Sequence, residues 1–136
     1  MRKNTKNLLL QNGIKPTFQR IVIYEFLDQN RIHPNVDKIY AMIHEEIPTI
    51  SKTTIYNTLN LFLEKNIVLG LTLSGTEMNY DINITPHHHF YCTNCGVVHD
   101  VFISCPLGND KLKITDGHLI QEVHGYFKGI CKNCIN

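Results

Sequence analysis

The sequence predicts an α+β chain in two parts: an N-terminal winged helix-turn-helix, then a small α/β dimerisation domain built around a four-cysteine zinc site. Three observations predict it. Apolar residues recur at helical spacing as far as Leu63. Two β-like runs then flank a Ser74-Gly75 turn. Beyond Pro86 the chain turns to short β-like runs, glycines and two Cys-x-x-Cys pairs. The predicted division is a first domain over 1–80, a hinge over 81–86 and a second domain over 87–136.

Composition allows both parts. A chain of 136 residues suffices for one ordinary domain or two small ones. A hydrophobic share of 43% supports a core, and 18% charged residues argues against disorder. No apolar run approaches the ~20 residues of a membrane span. Polar Gln11 and Asn12 cut short the Leu8–Leu10 run, so neither a membrane anchor nor a signal peptide is expected, and the cytoplasm is the expected location. The net charge of +1 says little about partners. Residues 1–78 hold nine Lys/Arg against seven Asp/Glu, a weak tilt toward an anion-binding front half.

A short first helix is predicted around Thr5–Gln11, ended by Gly13 and Pro16. Thr17 is the N-cap of a second helix that runs to Gln29–Asn30, with Ile21, Tyr24, Phe26 and Leu27 on one side. A third begins after Asn35, where Val36, Ile39, Tyr40 and Ile43 follow the i, i+3, i+4, i+7 rule. Ser51 caps a fourth after Pro48. Ile55, Leu59, Phe62 and Leu63 form its apolar stripe, and Lys52, Thr53, Tyr56, Asn57 and Asn60 project from the other face. Strands are predicted over 67–73 and 76–82. Further strands are predicted near 88–92, 97–103 and 119–127, with a weakly marked helix or loop over 106–116 containing Gly108 and Asn109.

The fourth helix is the candidate reader of DNA. An α-helix fits the major groove, and its first turn meets phosphates and base edges. Ser51, Lys52, Thr53 and Thr54 supply hydroxyls, one cation and free backbone N–H groups there. Tyr56 offers a ring, and Asn57 an amide suited to adenine. A solvated helix face would carry similar residues. The following hairpin, with the basic Lys15 and Arg20 on an earlier element, favours binding of double-stranded operator DNA.

Cys92-Thr-Asn-Cys95 and Cys131-Lys-Asn-Cys134 are two knuckles that can complete a tetrahedral Cys₄ set, which suits structural zinc. A second half this small needs such a staple. Two reversible disulfides or unrelated core cysteines are the alternatives, the former disfavoured in a cytoplasmic chain. Cys105 has no partner in this count and is expected to be a buried or idle thiol. Around the first knuckle lie Asp81, His87, His88, His89 and Asp100. On a strand His87 and His89 share a face and His88 takes the other. Mixed imidazole and carboxylate ligation suits Fe²⁺, Mn²⁺ or Zn²⁺. His33 stands alone and reads as a surface histidine, as do His44, His99, His118 and His124. An enzyme is not expected. A zinc deaminase needs Pro-Cys-x-x-Cys beside a His-x-Glu, and that combination is absent; no Glu sits beside the His cluster as a general base. No small organic substrate is implied. A zinc-ribbon interaction module with no DNA role is the other rival.

Five stretches together resemble the ferric uptake regulator (Fur) superfamily over nearly the whole chain: Gly13-Ile-Lys-Pro-Thr-Phe-Gln-Arg20, His33-Pro-Asn-Val-Asp-Lys-Ile-Tyr40, Ser51-Lys-Thr-Thr-Ile-Tyr-Asn-Thr-Leu59, His87-His-His-Phe-Tyr-Cys-Thr-Asn-Cys-Gly96 and Gly129-Ile-Cys-Lys-Asn-Cys134. Within it the peroxide-sensing PerR branch is the nearer likeness, since position 81 holds Asp rather than Glu. That resemblance implies a homodimeric repressor, released when peroxide oxidises a histidine at a regulatory Fe²⁺ site. A sensor of iron, manganese or zinc level is the alternative. It implies that His33, Asp81, His87, His89 and Asp100 hold Fe²⁺ or Mn²⁺, which makes His33 a ligand. It implies that Lys15 lies near the minor groove and that Tyr56 and Asn57 read the major groove. A further metal site of some relatives would need other residues at His88, Leu107 and Val123, with His124 one step off, so no intact third site is expected.

Overall fold

The computed structural model describes residues 2–73, 77–85, 87–102, 114–119 and 125–135. The chain divides into two units, Met1–Thr85 and Pro86–Asn136.

The first unit is four helices and a hairpin: α1 (Arg2–Gln11), α2 (Phe18–Gln29), α3 (Val36–Ile43), α4 (Lys52–Glu64), β1 (Leu69–Leu71) and β2 (Asn79–Asp81). Each of α2, α3 and α4 starts where a side chain satisfies an otherwise orphaned backbone donor. Thr17 accepts from the Arg20 N–H, Asn35 from Lys38 and Ser51 from Thr54. The helix ends are equally specific. After α1, the Gly13 N–H bonds the Leu10 carbonyl and the Ile14 N–H bonds that of Leu9, with Gly13 at φ 71. This is a Schellman ending. α4 ends the same way, with Asn66 at φ 57 and the Ile67 N–H on the Phe62 carbonyl.

One core closes this unit. Ile23, Ile39, Ile55, Leu59 and Phe62 are fully buried, and Leu9, Ile14 and Val68 join them. Tyr24 meets Phe62 edge to face, with ring centroids 5.8 Å apart. On α2 the innermost residues are Val22, Ile23 and Leu27, whereas the predicted Ile21, Tyr24 and Phe26 flank them, partly buried. The predicted hairpin strands shorten at both ends. The Ile67 amide is committed to closing α4, so β1 starts only at Leu69. The Asp81 carboxylate accepts the Asn83 N–H, and β2 stops there. The expected Ser74-Gly75 turn lies outside the described residues.

The second unit holds β3 (His88–Cys92), β4 (Val98–Val101), β5 (Ile114–Thr115), β6 (His118–Leu119) and β7 (Phe127–Gly129). β3 is central, antiparallel to β4 and parallel to β7. β5 and β6 form a two-residue hairpin across Asp116 and Gly117, at φ 50 and φ 80. Two consecutive left-handed residues, Asp then Gly, suit a type I′ turn. Of the strand predicted over 119–127, Leu119 lies in β6 and Phe127 in β7, Gly125 and Tyr126 lie in neither, and 120–124 lie outside the described residues. The expectations for 106–113, Cys105, Leu107, Val123 and His124 lie outside the described residues.

Candidate metal centres and nucleic-acid interface

In the second unit four sulfurs converge. One Sγ from each of Cys92, Cys95, Cys131 and Cys134 lies within 4.8 Å of the others. All four are free thiols; Cys95 and Cys131 Sγ stand 3.8 Å apart, well beyond bonding distance. Sheet register makes this possible. β7 runs parallel to β3 with Cys92 opposite Gly129, and the Thr93 N–H bonds the Gly129 carbonyl, which delivers the second knuckle beside the first. Gly96, at φ 74, turns the first knuckle, its N–H returning to the Cys92 carbonyl. Cys92 is fully buried, and its sulfur accepts the N–H groups of Cys95 and Cys131 at 3.5 and 3.4 Å. Those two donors, Cys95 first, lower its pKa to about 6, so the thiolate that a metal requires is stabilised in advance. Four convergent sulfurs with N–H donors to the buried one fit structural zinc and leave no vacancy for a substrate.

The same unit builds an imidazole–carboxylate set on the β3–β4 pair. His89 and Asp100 are register partners. The Nε2 atoms of His87 and His89 lie 3.2 and 3.5 Å from Asp100 Oδ1. Their rings are neighbours at 4.4 Å, while His88 turns to the other face against Phe127. The two-residue side-chain alternation of a strand is the whole cause.

In the first unit His33 and Asp81 form a further imidazole–carboxylate pair, Nε2 to Oδ2 3.4 Å, with both side chains 4% exposed. The surface reading of His33, drawn from its isolation in sequence, is thus corrected. The corner that buries it is held by β2. Asn79 Nδ2 donates to the His33 carbonyl at 2.8 Å, and the Tyr80 N–H donates to that of Pro34 at 2.9 Å. His33 itself sits at φ 55, a left-handed conformation that a non-glycine residue adopts at some cost. Imidazoles and carboxylates of this kind suit Fe²⁺ or Mn²⁺.

The face predicted to meet DNA is also in the first unit. Thr53, Tyr56 and Asn57 are exposed, Tyr56 to 50%. They line a groove of about 450 Å³ together with Asn35, Asp37, Met78 and Tyr80. Ser51 and Thr54 share a hydroxyl–hydroxyl contact at 2.9 Å while Ser51 caps the helix. Lys15 is exposed, and Arg20 donates from Nη1 to its carbonyl at 3.0 Å, bracing the entry to α2. Lys52 is engaged by Asp37 at 2.8 Å and lies over the Tyr40 ring. Sequence reasoning gave no hint of Asp37 or Asn79, because neither contact is local in the chain.

The chain is similar to known proteins over most of its length. The ferric uptake regulator family profile matches residues 11–124. The peroxide operon regulator of Bacillus subtilis is 29% identical over 97% of this chain and 92% of its own length. The peroxide-responsive repressor PerR of Staphylococcus aureus is 32% identical over 93% of this chain and 86% of its own. Among solved structures, the Campylobacter jejuni peroxide stress regulator superposes with a TM-score of 0.65 at 27% identity, covering 97% of this chain and 95% of that one. The family profile spans most of the chain, from the end of the first helix to beyond the histidine and first cysteine clusters, and the chain belongs to the ferric uptake regulator family.

Proposed function

We propose that the chain is a metal-dependent, DNA-binding transcriptional repressor that senses peroxide. The two imidazole–carboxylate sets carry this reading. We assign Cys92, Cys95, Cys131 and Cys134 to structural zinc, and His33, Asp81, His87, His89 and Asp100 to one Fe²⁺ or Mn²⁺ ion. The donor counts support sharing: one unit offers two ligands and the other three, and neither set alone satisfies a five- or six-coordinate ion. With Asp81 at the hinge, His33 ties the reader to the metal, and ligation favours the arrangement of the units that binds operator DNA. Lys15, Arg20, Ser51, Lys52, Thr53, Thr54, Tyr56 and Asn57 form the DNA-facing set. The acting species is a homodimer in the cytoplasm, with no membrane partner, no small organic substrate and no enzymatic turnover. The relatives named above as peroxide regulators support the peroxide assignment.

When bound, Fe²⁺ supplies the means of reducing peroxide, which Mn²⁺ does not. The imidazole of His33 or His87 then gains one oxygen atom at a ring carbon while water leaves, and the oxidised ring no longer serves as a ligand. Loss of either ligand breaks the shared coordination on which the DNA-binding arrangement depends, and the DNA is released. Peroxide treatment of the Fe²⁺-loaded protein should add 16 Da, the mass of one oxygen, to a peptide containing His33 or His87, and should abolish its gel shift. The Mn²⁺ form should stay bound and unmodified. Release by a chelator with no response to peroxide would instead make the chain a metal-level sensor.

A further inference from the structure

α4 carries a single cation, Lys52, in its first turn. A lysine there should be the natural grip on phosphate, since the helix N-terminus also carries partial positive charge. The structure spends that cation internally. Lys52 Nζ lies 2.8 Å from Asp37 Oδ1 and 5.4 Å from the centroid of the Tyr40 ring. Asp37 is anchored by its place in the first turn of α3, where a carboxylate complements the helix dipole. Both side chains are more than half exposed, at 56% and 63%. Pairs so exposed add little to stability, so stability does not account for this one. It opens on the groove that Thr53, Tyr56 and Asn57 line, the face assigned to base reading.

We propose that Asp37 is a specificity-setting residue: it neutralises Lys52 at the DNA-facing end of α4, so that binding leans on base contacts rather than on phosphate. This rests on the DNA-binding reading above and deepens it. A lysine–phosphate contact is equally available on every sequence. It strengthens binding to operator and bulk DNA alike. Lys52 can engage phosphate only by leaving Asp37, so the gain from that contact is offset by the loss of an existing partner. The hydrogen bond to Asp37 also raises the Lys52 pKa, in keeping with the 2.8 Å pairing. Removing the carboxylate frees the lysine for any duplex.

The test is a salt series on the Mn²⁺-loaded, zinc-retaining protein, with a random-sequence duplex and a duplex selected from a random pool by the wild-type chain. Asp37→Asn should tighten binding to the random duplex several-fold at low salt. It should steepen the slope of log K against log salt by about 0.9, the increment of one added phosphate contact. The ratio of selected to random affinity should fall. In a Lys52→Met background the same Asp37→Asn change should leave the slope where it was. Equal slopes for Asp37→Asn and wild type would overturn the proposal. So would the same change of slope in the Lys52→Met background, since Asp37 would then act only as a distant negative charge. Failure of the wild-type chain to bind either duplex would sink the DNA-binding reading itself, a result distinct from unaltered salt dependence in a chain that binds.

Discussion

His33 shows how one residue is set up for the ligand role proposed above by groups outside the proposed ligand set. Its left-handed backbone is disfavoured for a side chain with a Cβ, and Asn79 offsets that cost by donating to the His33 carbonyl at 2.8 Å. The Tyr80 N–H fixes the next carbonyl, at Pro34. The ring is thereby aimed at Asp81 from a buried corner. Partners that orient a ligand are commonly worth about 10–100-fold in metal affinity. Asn79→Ala should therefore weaken Mn²⁺ binding by about 10-fold or more, measured by competition with a calibrated chelator. Zinc content should be unchanged, because Cys92, Cys95, Cys131 and Cys134 belong to the other unit. Full Mn²⁺ affinity in that variant would mean that the corner holds its shape without the amide.

The elements divide into those that announce themselves and those that do not. Helix starts were legible because Thr17, Asn35 and Ser51 each cap locally, and the structure shows all three caps. The thiol knuckles and the shared face of His87 and His89 were legible from spacing alone. The parallel pairing of β7 with β3 was not, since nothing local in Phe127–Gly129 names Phe90–Cys92 as its partner. The β5–β6 hairpin carries a local signal, since Asp116-Gly117 is a strong turn pair, but Asp116 falls at the end of the weak helix or loop predicted over 106–116. The burial of His33 was invisible in its own sequence neighbourhood, because Asn79 and Asp81 come from a strand far along the chain. Helix ends offer a sharper test. Gly13 and Asn66 occupy the same left-handed position after α1 and α4. Gly13→Ala should cost about 1 kcal/mol in urea unfolding, and Gly13→Asn clearly less, because Asn already serves at position 66. Equal losses would show that the backbone there relaxes away from φ 71.

For the whole molecule the question is what the regulatory ion adds once zinc is in place. The zinc thiolates lie in the second unit and the reader in the first, so zinc can keep its own unit folded without governing the other. If the DNA-competent arrangement is populated to about 1% without the regulatory ion, full occupancy of the His/Asp set raises apparent operator affinity by up to about 100-fold. Taking the equilibrium from 1:99 to 99:1 needs about 5.5 kcal/mol of differential binding. That is within reach of multidentate ligation, given that structural zinc reaches ~10–16 kcal/mol. A chelator mild enough to spare the four-cysteine site should therefore lower operator affinity by up to about 100-fold, and added Mn²⁺ should restore it. His33→Ala should mimic the stripped state and gain little from Mn²⁺, because the histidine proposed to join the first unit to the ion is missing. The measurement is a DNA titration with zinc and manganese quantified in each sample. A zinc-retaining, manganese-free chain that holds the operator as tightly as the loaded one would leave the His/Asp set without a regulatory role.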